Sequence, residues 1–167
     1  MTSFTALQRT ELAPLVDINN AGYPAVPIIN LSELEELFDL SSVALGVRDD
    51  EGNLHGFLMA VDPGSAYDSE NYRFFDTQFH NHLYIDRVVL GDTLRGQGVG
   101  TKLYEAVFDL ARKAGRDRVT CEVNLEPPNP GSLRFHHRMG FVDVGTQTTK
   151  GGTVVVHLLH APLTEIG

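Results

Sequence analysis

Leu94-Arg95-Gly96-Gln97-Gly98-Val99-Gly100-Thr101 is the stretch that decides how this chain reads. A strand-like run, Leu83 to Leu90, leads into it, and an amphipathic helix, roughly Val99 to Ala114, leads out. Three glycines between a strand and a helix point to a turn whose backbone N–H groups reach a ligand with no side chain in the way. Along the helix, Val99, Leu103, Ala106, Val107, Leu110, Ala111 and Ala114 share one stripe, and Gly115 is its stop. Arg118 to Asn124 is apolar and β-branched enough for the next strand. Strand, glycine turn, helix and strand make a βαβ unit, which predicts parallel strands and a right-handed crossover.

Downstream, Asn129 is placed to cap a helix that starts at Pro130, pairs Phe135 with Met139 one turn apart, and ends before Gly140. Phe141 to Thr149 and Thr153 to Leu159 then read as a hairpin around Lys150-Gly151-Gly152. Upstream, helical spacing of Leu7, Leu12, Leu15, Val16 and Ile18 predicts a helix over Ser3 to Asn20, divided by Pro14. Residues 21–30, with Gly22, Pro24 and Pro27, read as a loop. A second helix, Glu33 to Phe38, takes Ser32 as cap with Glu35 in the capping-box position. Ser42 to Arg48 and Leu54 to Val61 form a hairpin around an acidic Gly/Asn turn. The aromatic-rich segment from Ser65 to Asn81 is either a short helix packed on the sheet or a substrate-facing lid. The element order predicts an α/β (α+β) domain over residues 1–167, with a mixed sheet and helices on both faces.

Composition narrows the function. The chain has 167 residues, 42% hydrophobic and 21% charged, with a formal net charge of −9. It shows no basic cluster for nucleic acid and no apolar run near the ~20 residues of a membrane span. A cytoplasmic protein acting on a small molecule is the expectation, and the acidic balance favours a cationic or amine-bearing one. Cys121 is the single cysteine, so no internal disulfide forms, and it reads as a small buried hydrophobe. His80-x-His82 with Asp86 lacks a clear third ligand, so no metal is expected.

The glycine turn fits neither of two common phosphate cradles. Thr101-Lys102 follows Gly100 in the wrong order for a P-loop, and Gly96-x-Gly98-x-Gly100 lacks the dinucleotide spacing. It does fit R-x-x-G-x-G, as Arg95, Gly98 and Gly100, with an anion over the helix N-terminus and a fixed cation beside it. Tyr84 to Gly100 thereby resembles the central motif of the GNAT (GCN5-related N-acetyltransferase) superfamily. Asn129-Pro130-Gly131-Ser132-Leu133-Arg134-Phe135-His136-His137-Arg138-Met139-Gly140-Phe141 resembles the same family's N-x-x-A/S-x-x-F-Y-x-x-x-G-F helix. The two blocks stand in the family's order and, with the elements around them, cover roughly residues 43–160. Asn19 to Pro27 and Asn71 to Phe74 are similar to a bacterial subgroup of that family. Two positions depart from the pattern: Asp92, where many members have Pro, and His136, where Tyr is common.

The resemblance implies a GNAT fold of about six to seven strands with a V-shaped splay between the two central ones. It implies direct transfer of acetyl from acetyl-CoA to a primary amine or α-amino group through a tetrahedral intermediate. The backbone of Val88, Val89 and Leu90 would polarise the carbonyl and pair with pantetheine. Arg95, Gly96, Gln97, Gly98, Val99, Gly100 and Thr101 would hold the pyrophosphate, with Asn129, Ser132, Phe135 and His136 also toward the cofactor. His136 is either the acid for the thiolate or a hydrogen-bonding wall with water as the acid. Asp86 is either the base, an anion that recruits the amine, or a structural partner of an arginine such as Arg73. Glu122 is the other carboxylate candidate. Asn124 is a further contact to cofactor or substrate, and His137 is surface. An acyl-CoA-binding module without turnover and a transferase of longer acyl groups are the alternatives. The terminal hairpin offers strands for pairing in a homodimer.

Overall fold

A computed structural model describes residues 1–163. Its strands are β1 (Ser3–Ala6), β2 (Val43–Arg48), β3 (Leu54–Val61), β4 (Leu83–Leu90), β5 (Arg118–Glu126), β6 (Val142–Thr149) and β7 (Val154–Pro162). Its helices are α1 (Leu12–Ala21), α2 (Leu31–Leu40), α3 (Glu70–Gln78), α4 (Val99–Lys113) and α5 (Pro130–Arg138), with short 3-10 turns between some elements. The strands form one mixed sheet in the order β1-β2-β3-β4-β5-β7-β6. β4 and β5 are parallel, with Leu83 opposite Val119 and Tyr84 opposite Thr120, as the βαβ reading requires. Among the described residues, no helix is long and apolar enough to cross a membrane. The chain divides into two compact units, residues 1–61 with 85–103, and residues 62–84 with Tyr104 onward.

In the first unit, the expected helix from Ser3 is corrected. Ser3 to Ala6 is a strand, antiparallel to β2 with Ser3 opposite Arg48 and Ala6 opposite Leu45. Arg48 secures it by donating to Thr5 Oγ1 at 2.6 Å and to both Glu11 carboxylate oxygens at 2.7 and 2.9 Å. α1 starts only at Leu12, so Pro14 falls in its first turn, where the missing N–H costs no helical bond. The cap of α2 is corrected too. Asn30, not Ser32, caps it: Asn30 Oδ1 accepts from Glu33 N at 2.8 Å, and Glu33 Oε1 accepts from Asn30 N at 3.1 Å. That register buries Leu34 and Leu37. The β2–β3 hairpin forms as read, its turn tied by Asp49 Oδ1 accepting from Glu51 N and Asn53 N, both at 2.9 Å. Gly56 on β3 is a glycine of necessity, because a Cβ there would stand 2.5 Å from the Val89 carbonyl oxygen of β4.

In the second unit, β7 lies between β5 and β6, antiparallel to both. The aromatic segment resolves as the helix α3, capped by Ser69 Oγ, which accepts from Tyr72 N at 3.3 Å. Its Tyr72 and Phe75 are fully buried and meet Tyr84 at ring-centroid distances of 5.5 and 5.9 Å. Asn129 and Pro130 begin α5 as the sequence predicts, with Asn129 Oδ1 accepting from Ser132 N. The Tyr104–Lys113 part of α4 buries Val107 and Ala111 of the expected stripe, but it adds Tyr104 and Phe108 and leaves Leu110 exposed, so the buried face is rotated from the one read off the sequence.

Candidate active site

The glycine turn lies wholly in the first unit. Asp92–Leu94 forms a 3-10 turn, and Val99 begins a helix of 15 residues. Inside a helix the first N–H groups have no partner, so those of Val99, Gly100 and Thr101 are available to an anion. Lys102 N is the first to be taken back, by Gly98 O at 3.3 Å. Gly96 and Gly98 adopt φ of +75° and +68°, and where each would carry a Cβ there is open space. The turn thus combines open space at its two glycines with the positive end of a helix, an arrangement suited to an anion. Gln97 Nε2 donates to Thr93 O at 2.9 Å and steadies the loop. Arg95 is exposed and held by Asp92 Oδ1, 3.1 Å from its Nε.

The same unit carries Val88, Val89 and Leu90 on β4, one strand back from the turn. Asp86 is nearly buried; in the other unit, Arg73 pairs with Asp68. Arg87 Nε donates to Asp86 Oδ2 at 2.9 Å, while Arg87 Nη1 donates to Asn19 Oδ1, also at 2.9 Å. Neighbours on a strand start on opposite faces, so the long Arg87 side chain must fold back to make this pair. A second chain of contacts runs to the turn. His55 Nε2 meets Asp49 Oδ2 at 2.8 Å, and His55 Nδ1 meets Thr93 Oγ1 at 3.1 Å. His55, with the backbone amides of Asn53 and Glu51, draws the Asp49 carboxyl down to about 2.

The second unit holds the remaining candidates in two clusters. On β4 and β5, the buried Tyr84 hydroxyl lies 2.8 Å from each carboxylate oxygen of Glu122. Beside them, His82 is fully buried between Thr120 Oγ1 (3.0 Å) and Asp76 Oδ1 (3.1 Å), and burial pushes its imidazole below the usual range. Burial also pushes the Cys121 thiol well up, with the Glu122 charge adding to it. No group of three or more His, Cys, Asp or Glu side chains among the described residues is arranged to hold a metal ion.

The other cluster is built on α5. His136 is buried in a cage of Tyr104, Phe135 and Phe141, with ring centroids 5.2, 5.4 and 5.2 Å away. Its Nδ1 is 2.7 Å from Ser132 O, and its Nε2 is 2.7 Å from the Tyr104 hydroxyl. Burial pulls the imidazole below its ordinary value, despite the opposing effect of Ser132 O. Ser132 Oγ is 3.3 Å from Nδ1. Asn124 O accepts from Asn129 N at 3.2 Å, which joins the end of β5 to the start of α5. His137 is half-exposed and paired with Asp143 at 3.0 Å. The Tyr104 contact escaped the sequence reading, since Tyr104 lies outside the apolar stripe read along the helix and 32 positions separate it from His136.

A cleft of about 340 Å³ in this unit is lined by Ser65, Ala66, Tyr67, Tyr72, Arg73, Asp76 and Thr77. It lies along α3 and the loop before it, in the segment that the sequence left open between a packed helix and a substrate-facing lid.

The model of the acetyltransferase (GNAT) family matches residues 12–141. No curated protein matches the sequence significantly. Solved structures match over nearly all of the chain. Ard1 from Thermoplasma volcanium aligns at a TM-score of 0.78 and 14% identity, covering 98% of this chain and 99% of that one. The ribosomal-protein-S18-alanine N-acetyltransferase from Escherichia coli aligns at 0.75 and 14%, covering 100% and 97%. The structure of yncA from Salmonella typhimurium with its cofactor acetyl-CoA aligns at 0.72 and 18%, covering 100% and 96%. At these identities the likeness is one of fold.

Proposed function

The chain belongs to the acetyltransferase (GNAT) family, and from that premise we propose that it is an N-acetyltransferase, moving acetyl from acetyl-CoA to the primary amine of a small molecule or an α-amino group. The observation that carries the reading is the turn from Arg95 to Thr101. It offers unpartnered helix N-terminal N–H groups and two positive-φ glycines with open space outside them. That the yncA structure holds acetyl-CoA on a similar fold supports the choice of donor.

In this reading acetyl-CoA supplies the activated thioester. Arg95, Gly96, Gln97, Gly98, Val99, Gly100 and Thr101 bind its pyrophosphate, and the Val88–Leu90 backbone orients its acyl end. Asn129, Ser132 and Phe135 also contact the donor. Glu122 is the proton acceptor for the amine, a carboxylate on β5 whose two oxygens are each held 2.8 Å from the Tyr84 hydroxyl. Asp86, neutralised by Arg87, is a positioned anion rather than the base. His136 is a neutral hydrogen-bonding wall, since burial disfavours the imidazolium that an acid role needs; the thiolate takes its proton from water. The net charge of −9 favours a cationic acceptor.

The test is release of free CoA thiol from acetyl-CoA across a broad amine panel, with mass spectrometry of the product. An amine-dependent release and an acetylated amine are expected. Tight acetyl-CoA binding with no amine-stimulated release would leave the chain a binding module. Release from a longer acyl-CoA but not from acetyl-CoA would reassign the donor.

A further inference from the structure

The His136 cage contains more chemistry than a wall requires. Ser132 O is a carbonyl and can only accept, so at 2.7 Å the His136 Nδ1 must carry a hydrogen and donate it. In the neutral ring the other nitrogen is then a lone pair. Its neighbour at 2.7 Å is the Tyr104 hydroxyl, which therefore donates to Nε2. Nδ1–H is the arrangement that two fixed partners on two helices impose: Ser132 one turn earlier on α5, and Tyr104 on α4. We propose that Tyr104 is a positioning residue that locks His136 as the neutral Nδ1–H tautomer, with the Nε2 lone pair committed to the tyrosine hydroxyl.

Three facts support the lock. Tyr104 is buried and touches Phe108, Phe135 and Phe141 in edge-on contacts, so its hydroxyl has a fixed direction. Burial raises its own titration well above the ordinary phenol range, so it keeps its hydrogen at neutral pH. Protonating His136 would put a hydrogen on Nε2, and the Tyr104 hydroxyl would then have to turn its own hydrogen away and accept instead of donate. The charged groups around the pair act the same way. His137, next on α5, disfavours a second positive charge, and Cys121 and Glu122 on β5 keep the Tyr104 proton in place.

The tautomer stands on geometry alone; its role in catalysis rests on the N-acetyltransferase reading. There it keeps an uncharged, oriented imidazole at the position where relatives in the family commonly carry Tyr. The experiment is nitrogen NMR of the imidazoles in the full-length protein, with His136→Gln used to assign the signal. Wild-type protein at neutral pH is expected to show a protonated Nδ1 and an unprotonated Nε2. Tyr104→Phe removes the partner of Nε2, so the His136 titration midpoint is expected to move by about one pH unit. A protonated Nε2 in the neutral wild type, or an unmoved midpoint in Tyr104→Phe, overturns the proposal. If Tyr104→Phe does not fold, the wild-type spectrum decides by itself. With an amine substrate, kcat of Tyr104→Phe is expected to fall below the new midpoint and recover above it. A loss uniform in pH would mark Tyr104 as packing only and overturn its positioning role. Failure of every amine to be acetylated would count against the enzyme reading and leave the tautomer result standing.

Discussion

The Tyr84 hydroxyl sits 2.8 Å from both carboxylate oxygens of Glu122, a shared contact between parallel strands β4 and β5. Tyr84 is fully buried, so its O–H needs an acceptor, and the carboxylate supplies one. Glu122→Gln keeps an acceptor oxygen for Tyr84 but cannot take a proton. It should leave the thermal midpoint near wild type and lower kcat about 10²-fold, the usual scale of a general base. A kcat within threefold of wild type removes Glu122 as the base. Tyr84→Phe leaves the carboxylate without this donor and should cost about 1–2 kcal/mol in urea unfolding.

Gly98 separates strain from charge in the glycine turn. Its φ of +68° disfavours any side chain, though the space around it is open. Gly98→Ala should therefore cost about 1 kcal/mol of stability and weaken acetyl-CoA binding a few-fold. Gly98→Glu adds a negative charge where the pyrophosphate is placed. Its dissociation constant by calorimetry should exceed that of the alanine variant more than tenfold at low salt, with the gap closing as ionic strength rises. Equal affinities for the two variants would mean that no anion sits over the turn.

Local signals carried the glycine turn and α5. The positive φ of Gly98 and the cap by Asn129 are each decided within a few residues. β1 was hidden because its partner is β2, with Ser3 opposite Arg48, and nothing near Ser3 announces that pairing. Two capping boxes overlap at the start of α2, and tertiary burial of Leu34 and Leu37 goes with Asn30 and Glu33 over Ser32 and Glu35. Candidate site residues could be named from the sequence, but their partners could not. Asp86 meets its own neighbour Arg87, and His136 meets a tyrosine on another helix. Such pairs depend on side-chain direction after packing, which periodicity does not encode.

Arg48 is the tie between β1, the turn at Glu11 and β2. Both partners are partly shielded, with side-chain exposures of 16% and 25%, and Arg48 holds the Glu11 carboxyl below its ordinary range. Arg48→Met keeps the length of the stem but strands Glu11 without its cation. A loss of about 2 kcal/mol is expected from the urea midpoint, most of it recovered by pairing the change with Glu11→Gln. Strictly additive losses would show that the bidentate pair contributes nothing to stability.

Asp49 gives the fold a specific acid sensitivity. Its carboxyl titrates near 2 in the native state, because His55, then the amides of Asn53 and Glu51, favour the anion. In the unfolded chain an aspartate titrates at about 3.9. A group depressed on folding stabilises the native state above its unfolded value and loses that contribution as the pH falls through its folded one. The contribution of Asp49 is thus full above about pH 4 and gone below about pH 2. Asp49→Asn removes it at every pH. The wild type should be the more stable of the two at pH 6, and the two urea midpoints should converge as the pH drops from 4 toward 2. Because His55 also reaches Thr93 Oγ1, the same substitution should slacken the turn ahead of Arg95 and raise the acetyl-CoA dissociation constant two- to fivefold at pH 7. A pH-independent difference in midpoint between the two proteins would show that the Asp49–His55 pair is not what depresses the carboxyl.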